Sequence, residues 1–358
     1  MTAWRRWSRT TARWCALVAA TLLGWAVFAR LGVAAPELFA SLLIAMLLAL
    51  AGVGPLRPGR PLMMAAQGAL AVSIGLSVQP ETLAALGTHW PLVAGSAVVT
   101  LVLSVLAGFA LSRHREVDPV TGVLGMIAGG ATGLVAAAGE LGADERIVVV
   151  VQYLRVALVV LSMPLVVTYL FAPDAAAAPA PPATTGVAPW WADLLFLVGA
   201  VVVGTGVATL ARLPIPATLG PLFLAGAAEL GGWAEGVAVP VVVLPAAFLV
   251  IGWQAGSSFS RESLAAIGRI FGWALALMIA LTAACGGTGL LLSRWTGLSA
   301  LEGYLATTPG GLAAVLAVAG SSPDADVTFV AAAQIIRLVL MLVSAPVLVW
   351  ALRRWIAR

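Results

Sequence analysis

Arg155 and Arg337 carry the strongest chemical signal in this chain. Each lies deep inside an apolar run, in QYLRVALVVLSMP at 152–164 and QIIRLVLMLVSAP at 334–346. At 1.5 Å of rise per residue, a position about eight to ten residues into a helix sits roughly 12–15 Å from its end. An arginine at such depth in a membrane costs at least about 2.5–3.5 kcal/mol. Two of them at matching positions ask for compensating partners, and two chemistries answer. One is an anion bound in a polar cavity; the other is a set of loose backbone carbonyls on a neighbouring broken helix. Gln152 and Gln334 precede the arginines by three residues and so share their helix face. Their amides can bond to the same backbone or to a ligand.

The second set of residues is polar and breaking where the surroundings are apolar. LATTPGGLAAVLAVAG at 305–320 holds Thr307, Thr308, Pro309, Gly310 and Gly311 together, and IAGGATGLVAAAG at 127–139 holds Gly129, Gly130, Thr132 and Gly133. The glycines and the proline read as hairpin tips. The threonine hydroxyls can coordinate a small cation, hydrogen-bond a substrate, or bond back to a helix carbonyl. Half-helices that start at such tips turn their positive ends inward and favour an anion. Glu140 closes the first segment, either as a coupling carboxylate or as a helix-end charge. Asp144 and Asp326, and Glu81 and Glu262, match between the two segments and are expected to cap helices. Pro164 and Pro346 are expected to kink theirs. His89 and His114 are the only histidines, Cys15 and Cys285 the only cysteines, and they form no cluster. No metal, no cofactor and no catalytic residue set is therefore expected, and both cysteines read as small buried hydrophobes without a disulfide. The chain is not read as an enzyme.

These residues need a membrane scaffold to position them. The 358 residues are 61% hydrophobic and only 9% charged, against about 25% charged in soluble domains. Apolar runs fall at about 14–31, 36–53, 62–78, 90–112, 119–142 and 147–171, and again at about 190–211, 215–231, 238–257, 270–292, 300–320 and 327–351. Between them lies APDAAAAPAPPATTGVAP at 172–189, a Pro/Ala-rich linker. The halves on either side align. GLSVQPETLAALG at 75–87 matches GSSFSRESLAAIG at 256–268, AGGATGL at 128–134 matches ATTPGGL at 306–312, and the two arginine segments match each other. Several blocks in one order at nearly one offset mark an internal duplication. Residues 1–171 and 190–358 are then two membrane repeats. The first run belongs to the repeated unit, so it is expected to be a retained helix, not a cleaved signal.

All the basic side chains are arginines, and their placement sets the topology. If the two breaker segments enter and return without crossing, fifteen arginines outside the membrane fall on the cytoplasmic side and two opposite; if they cross, the division is twelve to five. The expected fold class is thus an all-α polytopic membrane protein, with two inverted repeats of five membrane helices plus one re-entrant hairpin each. Both termini are cytoplasmic and the linker periplasmic, in a bacterial inner membrane. The basic balance needs no nucleic-acid partner. The lipid bilayer and a small molecule or ion are the expected partners, and a homodimer stays open.

The paired segments AGGATGLVAAAGELGADERIVVVVQYLRVALVVLSMP and ATTPGGLAAVLAVAGSSPDADVTFVAAAQIIRLVLMLVSAP resemble the duplicated AbrB membrane family. That family carries the labels "ammonia monooxygenase" and "regulator of aidB expression". The resemblance covers about 15–351; the second half has the family's ATTPGG pattern, while the first carries AGGATG in its place. The plan it implies is similar to that of citrate and glutamate symporters. The expected function is a secondary transporter or exporter of a small anionic metabolite, working by alternating access at a midplane site between the hairpins. The alternatives are a membrane protein that regulates gene expression and, last, a membrane monooxygenase.

Overall fold

The computed structural model describes residues 2–31, 33, 35–52, 57–78, 80–128, 138, 142–171, 188–213, 215–257, 261, 268–322 and 325–356. Everything regular among them is helical. The first half holds α1 (Thr2–Arg30), α2 (Pro36–Leu50), α3 (Arg60–Leu76), α4 (Pro80–Leu111), α5 (Pro119–Met126) and α6 (Glu145–Val166). The second holds α7 (Trp190–Leu210), α8 (Pro216–Leu230), α9 (Val243–Gly256), α10 (Phe271–Thr296), α11 (Ala300–Thr307), α12 (Leu312–Ser321) and α13 (Val327–Ile356). The segments 129–137 and 139–141, most of the linker, and residues 258–260 and 262–267 lie outside the described residues.

Local chemistry sets many of these boundaries. Proline opens α2, α4, α5 and α8, where its missing N–H would have no partner anyway. The residues before α2 and α8, Ala35 and Ile215, both adopt left-handed backbone, with φ 49° and 45°. A strained conformation of this kind is rare for a β-branched residue, and here it occurs at the same place in both halves. Pro164 lies inside α6, and the helix passes into a π-helical turn over Val167–Phe171. Asp144 and Asp326 cap their helices as expected: Asp144 accepts from Arg146 N and Ile147 N, and Asp326 from Thr328 N and Phe329 N.

Among the described residues, six helices are long and apolar enough to cross a membrane: Arg13–Arg30, Gly87–Leu111, Glu145–Phe171, Trp190–Leu210, Phe271–Thr296 and Val327–Leu352. The other helices counted among the ten expected crossings, α2, α3, α8 and α9, have 15, 17, 15 and 14 residues. That is about 21–26 Å of helix, short of the roughly 30 Å hydrocarbon core. One expectation needs correcting. Cys15 is exposed and only Cys285 is buried, both as free thiols. The side of α1 that carries Cys15 has no protein neighbour over it, so its apolar character suits lipid and not a core.

The chain forms two compact units, and each takes a portion from either side of the linker. The first contains Met1–Val78 and Thr168–Arg261, the second Gln79–Val167 and Glu262–Arg358. In the first unit, α3 packs on α8 and α2 on α9, so each half lends a helix to the other. A methyl group at Gly75 would lie 2.6 Å from the Leu222 carbonyl oxygen and 2.7 Å from Ala225 Cβ; at Gly256 it would lie 2.8 Å from both Ala45 Cβ and Met46 N. The two crossings use positions that correspond in the repeat. In each crossing a glycine lets the facing helix come within contact of its backbone.

The second unit contains every breaker segment. There α4 meets α5 at Gly108 and Gly122, and α10 meets α11 at Gly289 and Gly303, again at corresponding positions. At both crossings a side chain on either glycine would run into backbone of the facing helix. The absence of side chains is what lets these short helices lie so close to their long neighbours.

Candidate functional site

The site is built where the two short helices of the second unit end. α11 begins with a capping box: Ser299 Oγ accepts from Glu302 N at 3.1 Å, and Glu302 Oε2 accepts from Ser299 N at 2.7 Å. The other Glu302 oxygen accepts from Asp326 N at 2.8 Å and ties the start of α11 to the start of α13. The first half does the same with different residues. Asp118 caps α5, accepting from Val120 N and Thr121 N, and Thr121 Oγ1 accepts from Asp144 N at 2.8 Å. Glu302→Ala removes two acceptors from a nearly buried position and is expected to lower stability by about 1–3 kcal/mol. Thermal unfolding of the purified protein measures this, and Glu302→Gln, which keeps an acceptor, should lose less.

α11 stops because Pro309 lacks an N–H and Thr308 is extended, with φ −60° and ψ 124°. The chain turns through Gly310 and Gly311 and enters α12. Gly310 is seated against α6, where a methyl group would come within 2.7 Å of Val159 Cγ1.

The carbonyls freed by this break are met by α13. Gln334 Nε2 donates to Leu305 O at 2.6 Å and Thr308 O at 3.2 Å. Arg337 Nη1 donates to Thr307 O at 3.1 Å and Thr308 O at 2.5 Å, and Nη2 donates to Gln334 Oε1. α6 treats the end of α5 in the same way. Gln152 Nε2 donates to Leu124 O and Ile127 O at 2.8 and 2.9 Å; Arg155 Nη1 donates to Met126 O at 3.2 Å, and Nη2 to Gln152 Oε1 at 2.8 Å. Each glutamine–arginine pair therefore clamps the broken end of the short helix in its own half. The structural role of these residues is direct.

That role does not exhaust the arginines. Arg155 and Arg337 are 3% and 4% exposed, and among the described residues neither guanidinium pairs with a carboxylate. Among the described residues, neither buried Nε–H group has an acceptor. The two side chains line one cavity of about 60 Å³, together with Ala128, Gln334, Gly310 and Gly311. Two like charges facing a shared void with N–H groups to spare form an electropositive site. Unpaired charge at this depth is a functional signal.

The other residues singled out in the sequence divide clearly. Thr307 Oγ1 donates to Cys285 O and Gly303 O at 2.8 and 3.0 Å, and Thr308 Oγ1 donates to Tyr304 O at 2.6 Å. Both hydroxyls thus bond back to helix backbone. Thr132, Gly129, Gly130, Gly133 and Glu140 lie outside the described residues. Sequence reasoning missed the glycine pairs at the crossings and the equivalence of Thr121 with Glu302. The common offset between the halves was the signal that could have found them.

Comparison with known proteins meets this geometry at the same residues. The family model described as "Transition state regulatory protein AbrB" matches residues 43–353. The chain belongs to the AbrB family. It is 34% identical over 292 residues to "Putative regulator AbrB" of Escherichia coli (strain K12), covering 80% of this chain and 81% of that one. It is 31% identical over 290 residues to "Uncharacterized protein YhjN" of Bacillus subtilis (strain 168), covering 77% and 75%. The AbrB match takes in both short helices, both clamps and the cavity. An AbrB-family chain with six membrane-grade helices is a multi-pass membrane protein.

Proposed function

We propose that this AbrB-family protein is a secondary transporter of a small anion, with Arg155 and Arg337 at its binding site. The observation that carries the reading is the pair of buried, carboxylate-free guanidiniums lining one cavity beside a broken helix. Irregular backbone at membrane depth is tolerated where it is buried in protein or lines a cavity. Broken helices at the midplane of inverted repeats are a recurring transporter plan. On this reading the repeats are 1–171 and 190–358, joined by the linker 172–189, each with five crossings and one re-entrant hairpin. The reciprocal helix crossings support a two-fold relation, and an odd number of crossings per half would invert the second repeat. The site would bind and release its ligand without covalent chemistry.

The test is flux. Purified protein in liposomes, challenged with a panel of small anions on a solid-supported membrane, should give a current or counterflow for at least one of them. Absence of flux for every anion, inward and outward, would sink the reading. The names of the family and of its Escherichia coli relative favour a second reading, regulation of gene expression. It is separable, since it predicts altered transcript levels on deletion with no flux in liposomes.

Topology has its own prediction. In a background lacking Cys15 and Cys285, Ala178→Cys should react with an impermeant thiol reagent from outside the inner membrane, and Ser263→Cys should not. The reverse labelling pattern in intact spheroplasts rejects ten crossings with cytoplasmic termini.

A further inference from the structure

The cavity between the arginines has a third wall, which narrows what it can hold. α12 starts at this wall, and both its N-cap, Gly311, and its first residue, Leu312, line the void. Gly311 has no side chain, so no side-chain cap covers the first turn. The first backbone N–H groups of a helix have no partner within it and carry the positive end of its dipole. They adjoin the same void as Arg155 and Arg337, whose Nε–H groups also have no partner among the described residues. Three independent sources of positive potential, two of them full charges at least 96% buried, converge on a single cavity.

Size then decides. A void of about 60 Å³, at roughly 10–15 Å³ per water-sized group, takes about four to six such groups. That favours a ligand smaller than citrate or a sugar phosphate. It suits a compact anion with several acceptor oxygens and up to two negative charges, because two uncompensated guanidiniums face it. Val156, Leu312 and Leu338 supply the rest of the lining, so the anion would be held without its water shell. We infer that the site takes a dehydrated, compact oxyanion of the sulfate or phosphate class, held between Arg155, Arg337 and the N-terminus of α12. This rests on the transporter reading for its purpose but not for its binding chemistry.

The experiment uses the full-length protein in detergent, with sulfate and inorganic phosphate as probes. Citrate and chloride serve as controls at equal ionic strength. Calorimetric titration should show saturable, one-site binding of at least one probe, with a saturable rise in unfolding temperature. Citrate should not compete. Arg155→Met should abolish binding. Gly311→Ala puts a methyl group at the cradle but meets its nearest neighbour, Val156 Cγ1, only at 3.7 Å, so it should fold and bind at least tenfold more weakly. If Arg155→Met does not fold, Gly311→Ala decides. A temperature rise that is linear in salt and equal in wild type and Gly311→Ala is general salting and overturns the inference. So does tight binding of citrate. Saturable sulfate or phosphate binding without flux in liposomes would uphold the inference and reject the transporter reading. Flux of a larger solute with no oxyanion binding would do the opposite.

Discussion

Arg337→Ala is expected to cause the largest loss, both in stability and in ligand binding. The side chain donates to two backbone carbonyls, Thr307 O and Thr308 O, and to Gln334 Oε1. All three acceptors belong to buried residues. A buried polar group left unsatisfied costs about 1–3 kcal/mol, and Gln334 still reaches Thr308 O. Removing an unpaired buried charge returns part of the loss. A net destabilisation of about 2–4 kcal/mol follows. Arg155 donates to a single carbonyl, Met126 O, so Arg155→Ala should be milder. The predicted order is therefore wild type, then Arg155→Ala, then Arg337→Ala, read as unfolding temperatures in detergent. Arg337→Lys keeps the charge, but its ammonium lacks the planar fork and serves the two carbonyls and the glutamine less well. It should fall between wild type and Arg337→Ala. Equal unfolding temperatures for all four proteins would show that the clamp contributes nothing.

The second large effect is expected at the crossing of α10 and α11. A methyl group on Gly303 would lie 2.9 Å from the Gly289 carbonyl carbon and 3.0 Å from Ser293 Cβ. The obstacle is mostly backbone, so no rotamer change relieves it. The two helices must separate, and α11 carries Thr307 and Thr308, whose carbonyls hold Arg337. Gly303→Ala should then destabilise by about 2–3 kcal/mol and loosen the arginine as well. Gly287, on the same α10, has nothing within 4 Å of the same position. Gly287→Ala should be neutral, or stabilising by up to about 1 kcal/mol through helix propensity. A Gly303→Ala protein that melts with wild type would mean the crossing is loose enough to absorb a side chain.

Much of this was legible in the sequence for physical reasons. Membrane helices announce themselves by apolar run length, and the observed helices fall within or close to the runs at 36–53, 90–112, 190–211 and 270–292. Proline and glycine act locally, so the break at Thr308–Gly311 could be read from five residues. Capping is local too, and Asp144 and Asp326 behave as their positions imply. The arginines stand inside apolar runs of the sequence, and both are buried in the protein.

Other features were not legible. Run length did not show that α9 would begin only at Val243, because flanking apolar residues extend its run, 238–257, past the helix end. Nor did Cys15 in an apolar run reveal which way it faces, since lipid and protein core select the same side chains. The balance between clamp and ligand site at Arg155 and Arg337 depends on which carbonyls lie within hydrogen-bonding distance, and those belong to segments 29 to 30 residues away.

The sequence by itself determined an AbrB-family membrane protein of helices, with a break at Thr308–Gly311 and an arginine inside each of two apolar runs. Tertiary structure alone decided that Arg155 of the first half shares a cavity with Gly310, Gly311 and Arg337 of the second. Hydrophobic periodicity and residue preference act over one or two helical turns and place a side chain on a helix. Which helices then lie together is settled by packing across the chain, here through glycines that let backbones touch. That packing brings Arg155 of α6 and Arg337 of α13 to the wall of one cavity.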